Sequence, residues 1–150
     1  MTGHSGLYAL VFGLFFATAA TASEPYSPYS GILRGTDGVA PVRLRIRNDT
    51  NGPLTCTAAL AHWYSQPLGT VGTGQTLDLS LWHAPENGTL SLLNAGEDQM
   101  PLEAIWCHTP ARADRARLRL PLRAGQTATQ WIFACTPEKD QRLICPATGG

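Results

Sequence analysis

Charge is scarce in this sequence and evenly balanced: 15% of residues are charged, eleven of each sign, for a formal net charge of zero. Lys139 is the single lysine, and every other basic residue is arginine. A chain without excess positive charge lacks the electrostatic footprint of general nucleic-acid binding. Beyond residue 22 there is no long apolar run, so no later stretch reaches the ~20 apolar residues of a membrane-spanning helix. No Gly-x-Ser-x-Gly elbow occurs, which removes a common hydrolase signal. The glycine-rich stretch 69–74 precedes an alternating run rather than opening a helix. It therefore has no helix-terminal amides with which to cradle a phosphate. No two cysteines stand two to four residues apart, the spacing that thiolate metal sites prefer.

What is present begins with an export signal. An apolar run from Leu7 to Phe16 leads into small residues, and Ala20-Thr21-Ala22 offers the short side chains a signal peptidase accepts. Only the amino terminus and His4 supply positive charge ahead of that run. Cleavage before Ser23 leaves about 128 residues, the size of one domain. No cysteine stands at the cleavage point to carry a lipid. The expected location is the periplasm or the exterior. Arginine-for-lysine usage with abundant alanine and glycine indicates a GC-rich bacterial genome.

An even number of cysteines in an exported chain reads as disulfides. Cys135 and Cys145 flank 136–141, which has the composition of a hairpin turn, so they are expected to pair, leaving Cys56 with Cys107.

Residues 23–40, with Pro-Tyr-Ser twice in succession, read as a flexible N-terminal arm. The domain proper spans 41–146, and 147–150 form a loose tail. Val42, Leu44 and Ile46 alternate with Arg43, Arg45 and Arg47, the period of two that puts aliphatics on one strand face. Alternation continues over 54–64, then a glycine-rich loop is expected over 65–75. Leu77, Leu79 and Leu81 alternate again. Asn87-Gly88 signals a hairpin. Further strands are expected over 90–92, 102–107, 117–122, 130–135 and 142–145, with a short helical turn over 111–116. Gly74-Gln75-Thr76 and Gly125-Gln126-Thr127 resemble the turn-into-strand step of immunoglobulin-like domains. The expected fold is all-β: a small immunoglobulin-like sandwich of about eight short antiparallel strands with two disulfides, and Trp106 beside Cys107 in its core.

The functional expectation is a non-enzymatic binding module for a protein partner or an acidic ligand, with no cofactor. Its contact residues are Arg43, Arg45 and Arg47 on one strand face, with Trp63 and Tyr64 at a strand end. A second arginine ladder, Arg115, Arg117 and Arg119, joins the first if the two strands are neighbours. The alternative is a periplasmic copper carrier using His62, His83, His108 and Met100. Met100 precedes Cys107 and His108 follows it directly, an order unlike that of cupredoxin-like copper sites, and adjacent strand residues face opposite ways. A further alternative is a secreted hydrolase or protease inhibitor, with Ser65, His62 and Asp78 as the paper triad. Asn48-Asp49-Thr50 and Asn87-Gly88-Thr89 fit the N-glycosylation triplet, which matters only in a eukaryotic secretory host, and the composition does not favour one.

Overall fold

The period-two run at the start of the domain buries Val42, Leu44 and Ile46 and leaves Arg43 and Arg47 exposed, with Arg45 half-buried between them. The computed structural model describes residues 31–111, 114–120 and 123–149. The signal segment 1–22 lies outside the described residues. Ten strands follow in chain order: β1 (Ala40–Asn48), β2 (Leu54–Leu60), β3 (Tyr64–Val71), β4 (Thr76–Ala84), β5 (Thr89–Leu93), β6 (Gln99–His108), β7 (Ala116–Leu118), β8 (Gln130–Pro137), β9 (Leu143–Ile144) and β10 (Ala147–Gly149). One short 3-10 turn, Ala61–Trp63, joins β2 to β3.

The hydrogen-bonded path runs β10-β8-β1-β4-β5-β6-β2-β3, with β7 added on β6 and β9 on β8. The sheet is mixed: β1 and β8 run parallel, Leu44 opposite Trp131 and Ile46 opposite Phe133. All other strand pairs are antiparallel. The expected all-antiparallel set is thus corrected at one pair. A parallel pair needs a long crossover, and here everything from β2 to β7 intervenes.

β6 is the hinge of the architecture. Its first residues, Gln99–Pro101, pair with β5, and Leu102–His108 pair with β2. A register shift at Ala59/Leu60 marks the changeover, as bulges do where strands bend. The inward residues of β1, β2, β4, β6 and β8 join one buried cluster containing Leu44, Ile46, Leu54, Leu81, Ile105 and Phe133. Each such side chain contributes roughly 1.5–3 kcal/mol by leaving water. Both expected disulfides are present, Cys56–Cys107 and Cys135–Cys145. They meet inside the cluster, where the sulfurs of Cys107, Cys135 and Cys145 lie within 4.8 Å of one another.

Several local expectations change. The stretch 65–75 is not a loop throughout, because β3 continues to Val71. Pro67 and Gly69 read as loop residues, yet an edge strand accommodates both: its outer N–H groups need no partner, and Gly69 (φ 138°) sits at a register shift opposite Cys56. Trp106 is half-buried rather than in the core, and Arg117 stacks 5.6 Å over its ring. The buried indole is Trp131, 4% exposed. Part of the helical turn expected over 111–116 lies outside the described residues, and Ala116 already belongs to β7. The described end of the N-terminal arm is tied down: Arg34 pairs with Asp98 at 3.0 Å, and Gln99 N–H donates to the Leu33 carbonyl at 2.7 Å. Tail residues Ala147–Gly149 form β10 against β8.

The β4–β5 hairpin depends on Gly88 twice over. Its φ is +77°, and a Cβ there would lie 2.7 Å from the Ala124 nitrogen and 2.8 Å from the Arg123 carbonyl carbon. Gly88→Ala is expected to cost about 2 kcal/mol in urea unfolding, since left-handed strain and a backbone clash act together. A loss below about 0.5 kcal/mol would show that the 123–125 loop yields freely.

Candidate functional site

The β2–β3 hairpin ends in a turn made of unsuitable residues. His62 (φ 63°) and Trp63 (φ 67°) are consecutive and both left-handed. Asn-Gly is the usual solution for two such positions, because other side chains crowd the backbone there. Left-handed backbone costs a non-glycine residue roughly 1–2 kcal/mol. The Trp63 side chain recovers nothing by packing: it is fully exposed, at 101%, and Tyr64 beside it is 61% exposed. The arrangement presents a large rigid aromatic outward on a strained scaffold. Such a side chain offers a large contact area at low conformational entropy cost.

The β1 arginines face the other way from the core, but two are already paired. Arg45 donates from Nε to Asp78 at 3.0 Å, and Arg47 from its terminal nitrogen to Asp49 at 2.7 Å. The Asp49 hydrogen bond, and then its charge, hold the Arg47 guanidinium above its ordinary pKa. Arg43 has no ion-pair partner among the described residues. Exposed pairs of this kind are worth under about 1 kcal/mol each, so their effect is mainly to neutralise the face. β1 lies between β8 and β4, and the hairpin tip lies beyond β5 and β6 in the sheet path. The two parts of the expected contact set occupy different regions. The first arginine ladder sits on β1 and the second on and beside β7, and the two strands are not neighbours.

The histidines are dispersed. His62 is on the hairpin tip, His83 is buried in β4 with no hydrogen-bond partner for its Nε2 among the described residues, and His108 ends β6 opposite Thr55. Met100 packs against the core. Among the described residues, the one group of three metal-capable side chains is Cys107, Cys135 and Cys145. All three are half-cystines, with no thiolate to offer. Asp78 is engaged by Arg45, and no hydrogen bond among the described residues links Ser65 to His62. The copper set and the paper triad are therefore not assembled.

Asn48 has a different role from the one its triplet implied. It is fully buried, donates from Nδ2 to the Gly52 and Val71 carbonyls at 2.8 and 2.9 Å, and accepts from Thr50 N–H and Oγ1 at 2.9 and 2.7 Å. Thr50 completes a structural lock between the β1–β2 turn and the end of β3, and the amide nitrogen is unavailable for glycosylation. The strained tip gave no turn signal in the sequence, because His-Trp lacks glycine and asparagine. Only the density of polar and aromatic residues at 62–65 pointed there.

No family model matches the chain, and no curated protein matches it. A solved structure to which it is similar is the NMR structure of a protein from Eubacterium rectale, with TM-score 0.46, 11% identity, and coverage of 77% of this chain and 96% of that one.

Proposed function

We propose that this protein is an exported, non-enzymatic binding module that captures a protein partner through the β2–β3 hairpin tip, with Trp63 as the anchor and Tyr64 beside it. The observation that carries this reading is a fully exposed tryptophan on two consecutive left-handed non-glycine residues. Burying that indole in a partner would contribute roughly 2–3 kcal/mol. Stability alone favours Asn-Gly at this turn, so the strained His-Trp found there points to a use. The signal-like N terminus and the two disulfides support export to an oxidising compartment. The accompanying fold reading is an immunoglobulin-like sandwich. The shared β6, the single core and the meeting disulfides favour it.

The double variant His62→Asn, Trp63→Gly tests the reading. It is expected to be more stable than the parent by about 1–2 kcal/mol, because the turn strain is relieved. A photo-cross-linking side chain at Ser65, in the native compartment, is expected to give a discrete adduct that the double variant loses. No adduct, or an adduct indifferent to the change, would refute the assignment. Arg43→Ser, Arg45→Ser and Arg47→Ser together are expected to leave the adduct intact.

A further inference from the structure

We infer that the free edge of β7 receives an extended segment of a partner polypeptide in which acidic and apolar side chains alternate. Among the described residues β7 pairs only with β6, Ala116 opposite Cys107 and Leu118 opposite Ile105. Its other edge leaves main-chain N–H and C=O groups for a further strand. The edge strand β3 is blunted by Pro67 and a register shift; β7 carries neither.

Charge selects the occupant. Arg115, Arg117 and Arg119 are exposed at alternate positions, while Ala116 and Leu118 are buried between them. Same-face residues of a strand repeat every ~6.6 Å. An added strand has the same repeat, so an Asp or Glu at every second position falls opposite each guanidinium. Arg117 is partly engaged, donating to the Glu103 carbonyl at 3.2 Å and stacking on Trp106. Arg115 and Arg119 have no ion-pair partner among the described residues.

A groove of about 1070 Å³ runs beside β7, with the half-buried Leu102, Trp106, Leu120 and Ile144 among its lining residues. It takes the apolar positions of the same segment. Across the groove, Arg142 is held by Glu138 at 2.8 Å; that hydrogen bond and the charges of Asp140, Glu138 and Asp114 keep its pKa above the ordinary value. The groove's arginines without an ion pair among the described residues are therefore those on and beside β7. An anionic sugar or lipid headgroup would satisfy the guanidiniums but leave the main-chain edge unpaired. The site lies on the opposite side of β6 from the β2–β3 hairpin, so it stands independently of the hairpin-tip reading.

The probe is a fluorescein-labelled nine-residue peptide alternating Glu and Val, titrated by anisotropy into the oxidised full chain. Expected are saturable binding, amide shifts centred on Ala116–Leu118, and about tenfold weakening in Arg115→Ser, Arg119→Ser, whose thermal midpoint stays at the parent value. N-methylation of alternate peptide amides abolishes binding. The His62→Asn, Trp63→Gly variant binds as the parent does, which separates the two sites. The inference is overturned by no binding, by equal binding of a block peptide of the same composition, or by affinity insensitive to N-methylation. It is equally overturned if a sulfated oligosaccharide or anionic vesicles bind with the same arginine dependence and the peptide does not.

Discussion

Asn48→Leu is expected to lower the unfolding free energy by about 3–5 kcal/mol, the largest effect of any single substitution considered. Leucine has the same branched four-atom side-chain shape as asparagine but is bulkier, so no cavity results. The loss comes from hydrogen bonding. Nδ2 now serves the Gly52 and Val71 carbonyls, and Oδ1 serves both donors of Thr50. A buried group deprived of its partner costs about 1–3 kcal/mol, and Thr50 is itself only 5% exposed. The backbone around Asn48 depends on the same geometry: its N–H donates to the Gln75 carbonyl at 2.9 Å, and its carbonyl accepts from Gly74 at 2.7 Å.

Asn48→Asp refines the test. The carboxylate keeps the contacts to Thr50 but turns an acceptor toward two carbonyls. Both repulsion and burial raise the folded-state pKa of the introduced acid. The variant's penalty should therefore be full at neutral pH and shrink as pH falls through that raised value, being smallest below the unfolded value of about 3.9. Equilibrium urea unfolding, followed through the buried Trp131, measures both variants. A cost under about 1 kcal/mol for Asn48→Leu would remove the lock from the account.

The second large effect concerns the disulfides. Removing Cys56–Cys107 by a double alanine change is expected to cost about 4 kcal/mol, against about 3 kcal/mol for Cys135–Cys145. The order follows from loop length: the sequence separations are 51 and 10, and the longer closure removes more freedom from the unfolded chain. Cavity formation adds to both losses, because all four half-cystines are buried and three of their sulfurs share one small region. Denaturant titration of each double variant gives the order, and the reverse order would show that native packing rather than chain closure dominates. The hairpin-tip change, by contrast, should raise stability, so the three perturbations separate scaffold from recognition element.

How much was legible is clearest at β1 and β4. Alternating aliphatics marked both strands and their buried faces, because a pleated backbone sends successive side chains to opposite sides whatever surrounds them. The disulfide pairing was legible for a related reason: a short turn between Cys135 and Cys145 made their approach a local event. The arginine ladders were visible as strands of charge, but which guanidinium meets which acid was not. Asp78 stands 33 residues from Arg45, and nothing local brings them together. At Asn48 the triplet is plain in the sequence but the buried lock is not, since burial and long-range partners decide what an amide does. At His62 and Trp63 the residues argue against the turn they form, so the strain is invisible without backbone angles.

The order of residues alone determined the strand-built interior, the faces its strands bury and the two cystines, because each depends on period, turn composition or short chain closure. Tertiary structure alone decided that β8 lies parallel to β1, that β6 serves two neighbours, that the arginine ladders lie apart, and that one indole stands in water on a strained turn. These depend on which distant segments share a hydrogen-bonded edge, and many alternating strands offer equivalent edges until the whole chain has packed.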